Sequence, residues 1–496
     1  MYLRIQVVTV ADDGTEHLHD IAQLERTEAT IATLGLTLQE SKQILHAVQQ
    51  LLVDQQVQEY LAAQRPCPAC GRLRPLKQGG TAPFHTLFGI VPVPNPRWEA
   101  CACQATAPAT FRPLSALLPE RSSPELRYLE TKWAAVLPYG VTTQALHEVL
   151  PIDHHHSVNT VRNHTLQAAR RSEQALGEEP VVWPRGADAD LRHLPLPDGP
   201  LAVGLDGGMV RARRDPTQAR TVNLFEVIAG KSILAFHRDG AASEAPSSKC
   251  FALVRSVDPK PQRRVFEVLH AQGMQLNQHL TFFSDGGESV RRLSEYLHPL
   301  AEHTLDWFHI TMKLTVLQQC GRGLPEPLPP VSANVLPAEI SLARRLESVK
   351  HYLWHGNTES ALDRLGDVAE VLELWDSDAD GERQIQPGSE AAARMLTYVR
   401  EFETYLRRNA GLIVNYGERY RNGERISTGF VESAVNQVVS KRMVKRQQMQ
   451  WTPEGAHLLL QVRVQVLNDD WEATFRQWYP QFRPVVPPEA PAALAA

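Results

Sequence analysis

At 496 residues the chain exceeds what one simple hydrophobic core organises, so several domains are expected. Its composition, 43% hydrophobic and 22% charged, is that of a globular protein, and no uninterrupted apolar run approaches a membrane span or a secretory leader, so a cytoplasmic, nucleoid-associated protein is expected. The formal net charge of -5 argues mildly against a nucleic-acid partner but does not exclude one, because counterion release depends on local Lys/Arg placement.

Tyr2 to Val10 reads as a strand, and residues 16 to 64 read as helical, with Leu38, Ile44, Leu45, Val48, Leu51 and Leu52 at helical spacing suggesting a packed helix pair. Next come Cys67-Pro-Ala-Cys70-Gly, a β-like stretch, and Cys101-Ala-Cys103. Four bunched cysteines of six favour a tetrahedral zinc site over a disulfide framework, with His85 as the nearest substitute ligand and Cys250 and Cys320 as core residues. The second pair departs from the usual zinc-ribbon spacing.

Thr142 to Leu150 reads as a short helix stopped by Pro151, and Ser157 can cap a second. In that second helix Val158, Val161, Leu166 and Ala169 make an apolar side, opposite Asn159, Arg162, Asn163, Gln167 and Arg170. This fits a helix-turn-helix whose second helix reads base edges and phosphates, and an ordinary amphipathic helix with a wet face fits equally well. His154-His-His156 reads as an exposed polar loop, and residues 172 to 200 as a linker.

The stretch Leu201 to Val210, LAVGLDGGMV, reads as a strand carrying Leu201, Val203 and Leu205 on one face and ending on Asp206. Glycine after the acid leaves room for a metal or phosphate near the backbone. Thr281-Phe-Phe-Ser-Asp285-Gly-Gly repeats the device. Further strands are expected at Val210–Arg213, Leu224–Ile228 and Ser232–Phe236, and helices at Lys249–Arg255, Arg263–Gln272 and Ser289–Tyr296. Asp306 and His309 lie three apart at another helix start and could share a pocket, although a capping or core histidine competes. Residues 321 to 337 are proline-rich, and Pro337 to Asn415 is helix-like with scattered arginines. Glu432 sits in the first turn of a helix opened by Thr428 or Gly429; Lys441, Arg442, Lys445 and Arg446 make its later turns basic, where a solvated face is the plain alternative. Thr452 caps a last helix, with Pro453 at its first position.

Three acids on two strand ends and a helix can hold two divalent ions about 4 Å apart, suited to in-line attack on a phosphodiester. With Cys67-Pro-x-Cys70-Gly, Pro96-Arg-Trp, Cys101-x-Cys103, Ser123-Pro-Glu-Leu, Tyr139-Gly-Val-Thr, Leu205-Asp206-Gly, Ser284-Asp285-Gly, Asp306-Trp-Phe-His309, Gly429-x-Val-Glu432-Ser and Met449-x-Trp-Thr-Pro-Glu-Gly-Ala456 in this order, nearly the whole chain resembles bacterial insertion-sequence transposases with an Asp-Asp-Glu triad, most closely the ISKra-type family.

The resemblance implies a multidomain α+β protein whose ribonuclease-H-like catalytic core, a mixed sheet flanked by helices, carries an all-helical insertion. The expected divisions are an N-terminal strand and helical region (1–64), a zinc-ribbon-like module (65–113), a helix-turn-helix-like region (114–175), a linker (176–200), the first part of the core (201–320), the insertion (321–425), the core's C-terminal helices with Glu432 (426–470) and a partly disordered tail (471–496). It implies a transposase that cuts and joins DNA with Asp206, Asp285 and Glu432 and two magnesium (or manganese) ions, with Asp306 and His309 as active-site neighbours. One structural zinc on Cys67, Cys70, Cys101 and Cys103 is expected. Double-stranded DNA, as terminal inverted repeats and target, would meet Arg162, Asn163, Gln167 and Arg170 and the Lys441, Arg442, Lys445 and Arg446 cluster, in a homo-oligomer. A structure-specific nuclease of the same scaffold and a domesticated, non-enzymatic DNA-binding regulator are the alternatives.

Overall fold

The computed structural model describes the chain except residues 12, 29, 32–33, 104–107, 153–155, 180–192, 196–198, 214–223, 234–247, 288–300, 325–340, 376–388, 445–449 and 484–496. The helix expected at 289–296, most of the linker, the proline-rich break after 324, Lys445 and Arg446 therefore lie outside the described residues. Two compact units form, Met1–Arg171 with Asp469–Ala496, and Ser172–Asn468. Among the described residues no helix is long and apolar enough to cross a membrane.

In the first unit β1 (Tyr2–Val10) pairs antiparallel with β2 (Glu16–Glu25), which corrects the helix expected from residue 16. The turn between them closes by hydrogen bonds from Ala11 N–H to Thr15 O and from Gly14 N–H to Ala11 O, both 2.8 Å, and that register outweighs the helical propensity of the Glu, Leu and Gln residues that follow. A single helix, α1 (Leu38–Gln64), replaces the expected pair; Thr37 and Glu40 form its capping box. Val53 and Val57 pack against Val91 and Val93 of the hairpin β4 (Thr81–Thr86) and β5 (Gly89–Pro94). The flanking strands β3 (Leu76–Gln78), β6 (Arg97–Glu99) and β7 (Thr110–Phe111) make a small antiparallel sheet. Helices α2 (Leu114–Leu117), α3 (Pro124–Val136), α4 (Tyr139–Val149) and α5 (Val158–Ala175) follow.

The second unit is built on a five-stranded mixed sheet. Its strands are β8 (Leu201–Arg211), β9 (Leu224–Ile233), β10 (Ser248–Val254), β11 (Leu280–Ser284) and β12 (Ala301–Leu305), in the order β10-β9-β8-β11-β12. The first three are antiparallel, and β11 and β12 run parallel to β8. Leu201, Val203 and Leu205 turn one face of β8 into a core with Phe251, Phe282, and Val265 and Leu269 of α6 (Pro261–Ala271). β10 occupies the stretch expected to be helical. Cys250 to Val254 are buried throughout, so an apolar run without helical periodicity forms a fully covered strand.

Beyond β12 come α7 (Trp307–Gly321), α8 (Leu342–Trp354), α9 (Thr358–Trp375), α10 (Ser389–Arg408) and α11 (Tyr416–Arg421), the expected helical block. One core runs from Leu305 and Ile310 through Leu346, Leu365 and Met395 to Tyr416, so the block is fused to the sheet. The chain then forms α12 (Gly429–Val435), a π-helical continuation (Asn436–Val444) and α13 (Pro453–Leu467). α13 covers the outer edge of β10: Asn468 bonds both the N–H and the C=O of Cys250 (2.7 and 2.8 Å), and Gln461 donates to Ala252 O (3.1 Å). An otherwise open strand edge is thereby closed by side chains. Lastly α14 (Trp471–Trp478) forms the first part of the expected tail, whose residues 484–496 lie outside the described residues. Its Trp471 is buried, donating to Thr131 Oγ1 at 3.0 Å, because Trp471 and Phe475 give even this short helix an apolar face.

On the other face of β8, a Cβ added at Gly204 would lie 1.9 Å from Val431 Cγ2 of α12. Gly204→Ala should therefore push α12 off the sheet and lower the unfolding free energy by about 1–3 kcal/mol, measured by urea denaturation.

Candidate active site and metal centre

Side chains alternate along a strand, so Gly204, Asp206 and Gly208 share the face of β8 opposite the Leu201–Leu205 core. Gly204 lies against Val431 and Phe430, and Gly208 against Val435 and Val439. Asp206 thus sits between two positions crossed by α12 and its π-helical continuation. Glu432, exposed in the first turn of α12, follows the residue seated on Gly204. The glycines expected to admit metal or phosphate divide their work. Gly207 is exposed, whereas Gly208 faces the helix, where a Cβ would lie in ordinary contact, 3.8 Å from Val439 Cγ1. Gly204, which the sequence reading passed over, is where the helix comes closest; the signal was its place two residues before the acid.

β11 pairs with β8 from Leu280 opposite Leu201 to Phe283 opposite Gly204. Continued by two residues, that register aligns Asp285 with Asp206, about 5 Å across neighbouring strands. The β11–β12 pairing, Ser284 opposite Leu305, likewise aligns Asp285 with Asp306. Asp285 and Asp306 therefore follow the ends of two parallel strands, whereas Asp206 lies inside β8 and not at the strand end expected, because Gly207 and Gly208 carry the pairing with β9 on to Arg211.

Burial raises Asp206 above its ordinary pKa, the charges of Asp285 and Asp306 add to the rise, and the positive charge of His309 with the Gly207 N–H oppose it. Asp206 Oδ1 accepts the Gly207 N–H at 2.8 Å, and Asp285 Oδ1 accepts the Gly287 N–H at 2.9 Å. The hydrogen bond to Asp306 raises His309, burial opposes, and the charges of Asp306, Asp206 and Asp285 add. An imidazolium is thus favoured beside the two acids.

Asp306 differs from its neighbours. It is wholly buried, and its oxygens accept from Phe308 N–H (2.9 Å), Thr428 N–H (3.0 Å), the Thr428 hydroxyl and His309 Nδ1 (2.7 Å). With its acceptor sites so engaged, it positions His309 and the residue preceding α12 instead of facing a ligand. Thr428 correspondingly does not cap α12 with its side chain.

The basic cluster after α12 is partly redirected. Lys441 is exposed, but Arg442 is fully buried with its guanidinium 5.1 Å from the Trp451 ring centre, so Arg442 does not face DNA. The wider π-helical turns place it inward where an exposed helix face was expected. Arg463 donates to Val438 O (2.7 Å) and Gln437 O of that turn. Burial and then the charge of Arg442 lower Arg463 to about 10.

In the first unit the sulfurs of Cys67, Cys70, Cys101 and Cys103 all lie within 4.8 Å of one another. Sγ separations are 3.5 Å for Cys67–Cys103, 3.4 Å for Cys70–Cys101 and 3.5 Å for Cys70–Cys103. Zn–S bonds of about 2.3 Å imply tetrahedral edges near 3.8 Å, so the four thiols could bind zinc with little movement, without His85. Hydrogen bonds, first from the Ala69 N–H, lower Cys67 to about 6, while hydrogen bonds with Cys101, Cys70 and Cys67 push Cys103 up to about 12, so the cluster shares its protons unevenly.

On α5, Arg162, Asn163, Gln167 and Arg170 are exposed and Val161, Thr165, Leu166, Ala168 and Ala169 are buried. Val158, expected on the apolar side, is exposed. Gln167 accepts from Arg127 at 2.5 Å. Ser157 caps α5 through Thr160 N–H at 3.2 Å. His156 is no exposed loop residue. Its Nε2 lies 2.7 Å from Glu130, fully buried on α3, whose other oxygen pairs with His164 at 2.5 Å, so a carboxylate unseen in the sequence pattern clamps the start of α5.

Asp306→Ala leaves the Thr428, Phe308 and His309 donors without their acceptor. It should cost about 3–5 kcal/mol in urea denaturation, and Asp306→Asn less, because the amide oxygen still accepts. The chain matches no protein-family profile and no curated protein, and its functional reading rests on the residues described above.

Proposed function

We propose that the chain is a DNA transposase of the Asp-Asp-Glu type, cutting and joining phosphodiesters with Asp206, Asp285 and Glu432. The observation that carries this reading is the parallel pairing of β8 with β11, which brings Asp206, inside β8, beside Asp285, just past the end of β11, where α12, the helix of Glu432, packs on Gly204 of β8. The sheet supports it further: three antiparallel strands followed by two parallel to the first are the order expected of a ribonuclease-H-like core, and the helical block falls between the last strand and α12.

The donor set is all oxygen, two carboxylates are held side by side, and burial raises Asp206 above its ordinary pKa. These features suit magnesium or manganese on Asp206, Asp285 and Glu432. Bound there, the ions would supply activation of a water or 3′-hydroxyl and stabilisation of the leaving oxygen. The chain's own contribution is positioning. Asp306 holds His309 beside the acids and Thr428 at the root of α12, while Gly204 lets α12 lie close to the strand. The exposed Arg162, Asn163, Gln167 and Arg170 row, with Lys441, suits DNA edges and phosphates. One structural zinc on the four cysteines would brace the first unit. Two transposon ends processed together imply a homo-oligomer on DNA.

Asp206→Asn, Asp285→Asn and Glu432→Gln should each abolish magnesium-dependent cleavage and strand transfer on the inverted repeats flanking the reading frame, with end binding intact; full joining by any one removes that residue from the triad. Cleavage without transfer of a pre-cut 3′ end into unrelated plasmid would instead favour the nuclease reading.

Metal analysis should find about one zinc per chain, lost with a lowered melting temperature in Cys67→Ser or Cys103→Ser. A fully folded wild-type protein purified free of metal would overturn the zinc assignment.

A further inference from the structure

β1 belongs to a two-stranded sheet, and among the described residues no strand lies along its second edge. What that edge presents follows from the two ends of the hairpin. The Met1 amino group donates to Arg26 O (2.7 Å), Arg26 N–H donates to Met1 O (2.9 Å), and Ala11 N–H donates to Thr15 O. Hydrogen-bonded pairs recur at every second residue of an antiparallel ladder, so the odd-numbered residues of β1 bond to β2. The N–H and C=O groups of Tyr2, Arg4, Gln6, Val8 and Val10 therefore point away from it. All of these residues are exposed, and among the described residues none has a backbone partner beyond the hairpin.

Natural sheets blunt such an edge with lysine, proline, a bulge or an inward charge. β1, YLRIQVVTV, has neither lysine nor proline. The bulge in the pairing lies on β2, where Ile21 is the extra residue, so β1 stays regular. Its one charge, Arg4, is met by Asp20. The exposed face is largely apolar, with Tyr2, Val8 and Val10, and with Leu18 opposite Val8. A two-stranded hairpin is marginal in water, and further strands sharing an apolar face stabilise it.

The edge is complementary to itself. Paired antiparallel about a two-fold axis at Gln6, every outward residue finds a partner: Tyr2 meets Val10 of a second copy, Arg4 meets its Val8, and Gln6 meets its Gln6. A register shifted by two residues leaves one outward residue of each strand unpaired. On the other face Ile5 meets Val7 and Leu3 meets Thr9. Aromatic and β-branched cross-strand pairs are favourable, and no like charges stand opposite each other. We infer that β1 pairs with β1 of a second copy, closing one four-stranded sheet across a two-fold axis. Such a dimer would supply the homo-oligomer of the proposed function, yet the pairing rests on the hairpin and stands apart from the chemistry of the acids.

The test is sedimentation of the full-length chain without DNA over a series of micromolar concentrations, with hydrogen exchange followed in the peptide of residues 1–11. The wild-type chain should dimerise, with exchange at Tyr2, Arg4, Gln6, Val8 and Val10 slowing as concentration rises. Val8→Pro removes an outward N–H and leaves the ladder to β2, so it should weaken the dimer about tenfold or more. Gln6→Lys and Gln6→Glu each set like charges across the axis and should weaken it several-fold, whereas an equimolar mixture of the two should pair at least as well as wild type. That rescue requires residue 6 to meet its own copy. A monomeric wild-type chain, or a dimer indifferent to all three substitutions, overturns the inference. Protection of these amides in a monomer does so too, since another strand would then occupy the edge. A chain that dimerises through β1 but never cuts DNA removes the transposase reading and leaves this one, and a chain that joins DNA but is monomeric without it does the reverse.

Discussion

The buried carboxylate of Asp306 is the constraint on which the candidate site depends. It ends β12, begins α7 through the Phe308 N–H, and grips the backbone and hydroxyl of Thr428, 122 residues further along the chain. A buried carboxylate is stable only when fully hydrogen-bonded or paired. Meeting that requirement joins the last strand of the sheet to the root of the helix carrying Glu432, and it orients His309 toward Asp206 and Asp285. The intervening helical block is tied in at the same place. Tyr416 donates to Leu305 O at 2.8 Å, and the Trp307 ring meets Trp354 edge-on at 5.0 Å and Tyr416 at a tilt at 4.9 Å between centres. A long insertion is thus accommodated without loosening the site, because its core is continuous with that of α7.

Close packing of α12 on β8 is the second condition. Only glycine at Gly204 admits Val431. Beyond α12 the backbone widens into a π-helix, whose carbonyls are less regularly paired, and the Arg463 guanidinium supplies donors to two of them. Two guanidinium groups, Arg442 and Arg463, are thereby taken out of water in one region, which is why Arg442, in a run that reads as a basic surface, is a structural device.

In the first unit the same chemistry recurs on a smaller scale. Glu130 is fully buried, and burial would push it toward neutrality, yet its hydrogen bonds to His156 and His164 hold it below its ordinary pKa. That charge fixes the start of α5 and thereby the direction in which its exposed Arg, Asn and Gln side chains project. Cys67 and Cys70 are gathered by a tight turn closed by Cys67 N–H donating to Arg72 O, and the chain after that turn is pinned to β6 by Glu99 N–H donating to Pro75 O.

Local sequence by itself determined much of this molecule. Strong punctuation such as Thr452-Pro453 and Ser123-Pro124, helical periodicity in the insertion, the strand-Asp-Gly-Gly pattern and the paired cysteines all act within a few residues and were legible there. The β2 and β10 strands were not, since a hairpin register and burial on both faces override local propensity. Nor could any window of sequence reveal that Asp306 is fully engaged, that Asp206 lies inside a strand continuing to Arg211, that Arg442 is interior, or that Glu130 answers two histidines. Those outcomes depend on which groups lose water together, and only the tertiary structure brings groups tens or hundreds of residues apart into the same low-dielectric space.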